Sequence, residues 1–259
     1  MASTNTSWEG AGQWYQALVE EETSYQKNLI LPNLLRLLSL QGGERILDLG
    51  CGTGFFSQAF FEHGARVIGV DLAPELIKLA KQRCSPEIKF YAAEASRLPF
   101  IKDASVNIIT LILALQNMEG VGEILKEGRR VLAKEGRIVM VLTHPCFRVP
   151  KGSSWGYDEA EKTQFRRIDY YLSESKIKVQ MHPGEKPEEC TLSLHRPLQF
   201  YFKALRKAGF CVSGLEEWNS NRISKPGKRA KAENKARKEI PLFLFIEARE
   251  PTRFTPKAA

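Results

Sequence analysis

The chain has 259 residues, 43% hydrophobic and 26% charged, with a formal net charge of +8; that length carries a sizeable core, as one domain with an insertion or as two small domains. The longest apolar run, "IITLILAL" at 108–115, is far shorter than the roughly 20 residues that cross a bilayer, and the opening "MASTNTSWEG" has neither region of a secretory signal, so a cytoplasmic protein without a membrane span is expected. Five cysteines, odd in number and never spaced C-x-x-C, point to neither a disulfide framework nor a zinc site.

The first ~40 residues, with "SYQKNLILPNLLRLLSL", read as one or two helices preceding the rest. From residue 44 strand-like and helix-like runs alternate, which argues for a parallel α/β sheet. Strands are expected at 45–49, 65–71, 88–94, 105–113 and 137–144. The helix after the first strand puts Phe56, Ala59 and Phe60 on one face and ends at Gly64. The next opens at Pro74, where a missing N–H costs nothing, and a third covers about 120–134 and stops at Gly136. Residues 145–196 break the rhythm, with "QFRRIDYYLSES" and "IKVQMH" as antiparallel strand candidates. A helix at 197–209 and strands at 210–218 and 241–249 follow. The last two strands flank 219–240, where eight Lys/Arg face only Glu233 and Glu239, a net of +6. This segment is expected as a long inter-strand loop, with "AENKARKE" able to form a short exposed helix, and it holds most of the excess charge.

"ILDLGCGTGFF" at 46–56 joins an apolar strand through Gly50, Gly52 and Gly54 to an apolar helix. In that context glycines let a ligand approach backbone N–H groups at a helix N-terminus. A dinucleotide fingerprint, G-x-G-x-x-G, needs a third glycine where Phe55 stands, and no Gly-Lys-Ser/Thr follows to make a phosphate loop. An adenosine ligand without a pyrophosphate remains. Asp71, ending the second strand, is placed to accept from both ribose hydroxyls, and Glu94, with the Ala95 N–H, to read an adenine edge. Asp48 is placed to pair with an ammonium, directly or through water. Together they describe S-adenosylmethionine. Each also has a plainer reading: a tight turn for the glycines, a helix-start acid for Asp71, a solvated side chain for Glu94.

"ILDLGCGTG", "VIGVDLAPELIKLAK", "AAEASRLPF", the 105–113 segment and "RRVLAKEGRIVMV" resemble, in order, the motifs of class I S-adenosylmethionine-dependent methyltransferases, nearest the ubiquinone/menaquinone-biosynthesis-like (methyltransferase type 11) branch. The resemblance covers about 44–143 strongly and 197–249 in topology. It implies a Rossmann-like, doubly wound, mostly parallel seven-stranded sheet with an antiparallel last strand and a small insertion after strand five. The methyltransferase domain would then be 44–144 with 197–249, the N-terminal helices 1–43 would pack on it, and 145–196 would form a substrate lid. It further implies cofactor contacts from Asp48, Gly50, Cys51, Gly52, Thr53, Gly54, Asp71, Leu72, Glu94, Ala95 and Leu111. Two departures stand out: Ala93-Glu94-Ala95 replaces the usual Gly-Asp-Ala, and Gln116-Asn117 follows strand four where relatives often carry histidines.

Methyl transfer from a sulfonium is a direct displacement, and a base is needed only when the nucleophile must lose a proton. Ligands in this fold gather at the carboxyl ends of the strands. The titratable candidates there are His144 after strand five and His195 at the return from the insertion, with Tyr170, Tyr171 and Gln116 as acceptor-side candidates. No His/Asp/Glu spacing fits a metal, and Cys146 reads as structural. A small-molecule acceptor under an aromatic-rich lid is the first expectation. An RNA acceptor held by the basic 219–240 segment is the alternative, weakened by the absence of aromatics within that segment. Either a monomer or a homodimer is compatible with the sequence.

Overall fold

The computed structural model describes residues 8, 12–182 and 186–251; residues 1–7 and 9–11 of the expected N-terminal region lie outside them. In chain order, helix α1 (Gly12–Glu20) leads through a wide helical turn (Gln26–Ile30) into α2 (Leu31–Leu38). The alternating core follows: β1 (Arg45–Leu49), α3 (Phe55–Glu62), β2 (Arg66–Asp71), α4 (Pro74–Arg83), β3 (Lys89–Ala92), β4 (Val106–Ile112), α5 (Val121–Val131) and β5 (Leu132–Thr143). Two hairpins come next, β6 (Ser153–Asp158) with β7 (Thr163–Ile168) and β8 (Ser175–His182) with β9 (Lys186–His195). The chain closes with α6 (Leu198–Lys207), β10 (Cys211–Trp218), α7 (Ala230–Glu239) and β11 (Phe243–Arg249).

Seven strands form one sheet in the order β10-β11-β5-β4-β1-β2-β3. β11 is antiparallel to both neighbours, and every other pairing is parallel, as the expected seven-stranded sheet with an antiparallel last strand requires. Side chains alternate across it with the period-2 rule of a pleated strand. Ile46, Val67, Ile108, Val139, Val141 and Phe245 face the cluster under α2, α3 and α4. Leu47, Ile109, Leu111, Ile138, Met140 and Ile246 face the cluster under α5 and α6. Burial on both faces explains why these strands read as nearly continuous apolar runs.

Three boundaries differ from the sequence reading. α5 stops at Val131, not near 134, because Leu132 is extended and its strand pairs Val106 with Leu132. Gly136 therefore lies inside β5 and caps no helix; a Cβ there would stand 2.9 Å from the Asn107 carbonyl oxygen. β3 ends at Ala92, so Glu94 sits on the following loop. Finally, the basic segment is not all loop, since α7 occupies ten of its residues.

Candidate active site

The β1–α3 loop turns on glycines at positive φ: Gly50 at 71°, Gly52 at 56° and Gly54 at 81°, a region that an L side chain enters only with strain. At Gly50 a Cβ would lie 2.5 Å from Ala114 Cβ, and at Gly54 2.6 Å from Cys84 Sγ. Gly50 thus lets the loop touch the segment after β4, and Gly54 lets α3 approach α4. Asp71 ties the loop to the end of β2, accepting from Gly52 N at 2.9 Å and Ala73 N at 3.0 Å. Burial pushes its carboxyl upward, and the backbone donors of Ala73, Gly52 and Leu72 oppose that. Each carboxylate oxygen has a second lone pair for a ligand.

These residues border a cavity of about 880 Å³, within the range of small-molecule sites. Its walls include Gly50, Gly52, Asp71, Leu72, Glu94, Ala95 and Gln116, together with Trp8, Gln26, Leu113, residues 117–120 and Glu123. The far wall is the β8–β9 hairpin, through Lys176, Val179 and residues 191–194. Glu94 and Ala95 reach it because α5 pins their loop: Glu127 accepts from Leu98 N at 2.6 Å, and Arg130 donates to the Leu98 and Ile101 carbonyls at 2.9 and 3.0 Å. Leu113, at φ 52°, is a bulky residue in the left-handed region, a strained conformation of the kind that gathers at functional sites. Arg196, buried at the foot of the hairpin, donates to the Leu115 and Met118 carbonyls at 3.2 and 2.8 Å. Lys176 bridges to Glu119 at 2.6 Å and holds that carboxyl below its ordinary range.

The remaining expected site residues are placed elsewhere. Asp48 is 2% exposed and faces the protein, accepting from Ser57 Oγ at 2.7 Å and Thr110 Oγ1 at 2.8 Å. Burial lifts its carboxyl to about 6 against those two donors. Cys51, Thr53 and Leu111 are buried and, like Gly54, are absent from the cavity wall; Thr53 Oγ1 is buried without a hydrogen-bond partner among the described residues. Neither histidine lines the cavity. His144 is 2% exposed; its Nε2 is 2.7 Å from Glu217 Oε1 and its Nδ1 accepts from Cys146 N at 3.2 Å. Burial lowers its pKa, and the bond to Glu217 opposes that, so the ring is neutral near pH 7. His195 Nε2 is 2.7 Å from the Tyr171 carbonyl. The Tyr171 hydroxyl accepts from Leu198 N at 2.8 Å, and the Tyr170 hydroxyl reaches Pro150 O. Both tyrosines serve the packing of the insertion. Of the acceptor-side candidates, Gln116 alone is in the wall, with Nε2 3.5 Å from Thr143 Oγ1 and Oε1 buried without a partner among the described residues.

Sequence reasoning missed Gln26, Leu113 and the β9 residues. Gln26 comes from the N-terminal segment and carries no motif, so nothing local marked it. The β9 strand, masked in sequence by Pro187 and three charged residues, could have been found from the alternation in "TLSLH". Among the described residues no group of three His, Cys, Asp or Glu is placed to hold a metal, and no helix is long and apolar enough to cross a membrane. No disulfide joins any of the five cysteines, all of which are among the described residues.

Residues 47–140 match the family model for a methyltransferase domain. An uncharacterized protein of Haemophilus influenzae is 28% identical over 170 residues, 62% of this chain and 67% of that one. The demethylmenaquinone methyltransferase of Renibacterium salmoninarum is 34% identical over 106 residues, 40% of this chain and 44% of the enzyme, so the matched stretch is less than half that relative's length. Among solved structures, an S-adenosylmethionine-dependent methyltransferase from Mesorhizobium loti superposes with a TM-score of 0.66 at 26% identity, covering 85% of this chain and 96% of that one. Glycine loop, strand order and these relatives converge on a class I S-adenosylmethionine-dependent methyltransferase, with the methyltransferase domain matched at residues 47–140.

Proposed function

We propose that the chain transfers a methyl group from S-adenosylmethionine to a small-molecule acceptor held between the glycine loop and the β8–β9 hairpin. The observation that carries this reading is that one cavity borders both Asp71 and Glu94 at one end and the hairpin wall at the other. The donor set fits the cofactor. Asp71 offers its remaining lone pairs to ribose hydroxyls, Glu94 has no side-chain partner among the described residues to compete with an adenine amine, and Gly50 and Gly52 border the cavity with backbone alone. When bound, the cofactor supplies an electrophilic methyl group for direct displacement. The protein's part is alignment and exclusion of water, which the mainly apolar walls at Leu113, Val179, Leu192 and Leu194 provide. Gln116 Oε1 would accept from an N–H or O–H of the acceptor. The relatives named for demethylmenaquinone, itself a small molecule, agree with this class of substrate.

An RNA acceptor is the second reading, favoured by one observation. The structure supplies in space the aromatics that the basic segment lacks in sequence: the Arg229 guanidinium lies 4.4 Å from the ring of Tyr157 on the β6–β7 hairpin. Incubating the protein with methyl-labelled cofactor and a cell extract, then separating RNA, protein and metabolites, tests both. Label among metabolites is expected, and label in RNA would overturn the first reading.

A further inference from the structure

A second constellation lies one strand over from the cavity wall. His144 follows Thr143, whose Oγ1 is 3.5 Å from Gln116 Nε2, and accepts through its carbonyl from Arg148 N at 2.8 Å. The Arg148 guanidinium stacks on the indole of Trp155 at 5.1 Å from the ring centroid, and Arg166 reaches the same ring at 5.3 Å. Arg166 is fixed by the Phe147 carbonyl at 2.8 Å and Ser153 Oγ at 2.6 Å. The Arg148 side chain, by contrast, has no hydrogen-bond or ion-pair partner among the described residues, and its Nε is buried and unsatisfied. Two like charges share one aromatic ring, and among the described residues no carboxylate pairs with either. Glu217, the acid beside His144, is engaged by its ring. Burial and the neighbouring Arg166 bring the Arg148 guanidinium down to about 10, the mark of a cation held without its counter-charge.

An unpaired, half-buried guanidinium is costly unless something completes it, and its planar fork matches an oxyanion in two parallel hydrogen bonds. We infer that Arg148, with Arg166 behind it on Trp155, forms an oxyanion subsite beyond the carboxyl end of β5, which takes a phosphate or carboxylate group. The subsite lies outside the cavity wall and stands apart from the transfer chemistry.

The test uses the full chain and inorganic phosphate or acetate as probe, with ionic strength held by chloride. The readout is the indole N–H resonance of Trp155, assigned with Trp155→Phe. A saturable shift in the millimolar range is expected, with Arg148→Gln weakening it at least tenfold and Arg148→Lys by less. Product-cofactor affinity, by calorimetry, should be unchanged in both variants, which shows that they fold. Saturation by phosphate alone assigns a phosphate-bearing ligand to the subsite; saturation by acetate assigns a carboxylate-bearing one. A shift that never saturates, or one equal in Arg148→Gln, overturns the subsite. Saturable phosphate binding together with extract label in RNA would keep the subsite and remove the small-molecule reading.

Discussion

Asp71 performs two tasks that one substitution separates from each other. Its carboxylate fixes the glycine loop through Gly52 N and Ala73 N, and on our reading its outer lone pairs hold the ribose. Charge-assisted hydrogen bonds are worth about 1.5–3 kcal/mol each. Losing two of them in Asp71→Ala should therefore weaken cofactor affinity by about 100-fold or more, since each 1.4 kcal/mol is tenfold. Asp71→Asn, which keeps an acceptor oxygen for one backbone donor, should fall between. Calorimetry with S-adenosylhomocysteine decides it, and a loss under threefold in Asp71→Ala would remove the ribose assignment. Residues of this kind are readable in advance because a strand's last residue must project from the sheet edge wherever the strand ends. Asp48 and Leu111 were less legible. They lie within β1 and β4, where the pleat decides which way each side chain points, and Ser57 and Thr110, 9 and 62 residues away in sequence from Asp48, claim its carboxylate. His144 and His195 were legible as polar groups at the sheet's carboxyl edge, but a histidine buried there needs partners of its own, and Glu217 and the Tyr171 carbonyl supply them.

At the level of elements, glycine and proline punctuation placed β1, α3, β2, α4 and α6 within about two residues, because Gly64 and Gly209 take the left-handed φ that ends a helix. The α5–β5 junction was misjudged for a tertiary reason: Gly136 is needed where β5 passes the Asn107 carbonyl, a contact that no local pattern reveals. The β6–β7 and β8–β9 hairpins were only partly legible, since their strands are half exposed and mix charge with β-formers. Helix α7 has a bearing on function. Arg222 donates to the Thr23 carbonyl, Arg229 pairs with Glu159 at 2.5 Å, and Arg237 bonds Ser224, so three of the eight cations of 219–240 belong to packing. Lys228, Lys231 and Lys235 have no ion-pair partner among the described residues. Replacing these three by Gln should leave turnover of a small acceptor within twofold and barely move the melting temperature, because solvated surface charges contribute little. A large loss of activity that grows as salt is lowered would mark a polyanionic acceptor instead.

For the molecule as a whole, the core and the proposed acceptor wall are separable. Neither hydrophobic cluster takes a residue from β8 or β9; the hairpin is joined at its foot, where Ser175 pairs with His195 and Lys176 with Leu194, and is held there by Arg196. Those pairings bring the two strands within one ladder spacing, so residues 177–193 can be replaced by a two-residue Asn-Gly turn, which joins antiparallel strands without splaying them. The Asp71 and Glu94 end of the cavity is built from the sheet and from the loop pinned by Arg130. Cofactor affinity should therefore stay within a few fold of the parent. Methyl transfer should fall by at least 100-fold, because alignment and water exclusion, which carry this chemistry, lose a wall made of Val179, Thr191, Leu192 and Ser193. The shortened chain would be assayed for cofactor binding by calorimetry and for transfer with the acceptor fraction that the extract experiment identifies. Transfer at the parental rate would mean that the acceptor sits elsewhere. Loss of cofactor binding as well would mean that the hairpin shapes the glycine-loop end of the cavity too.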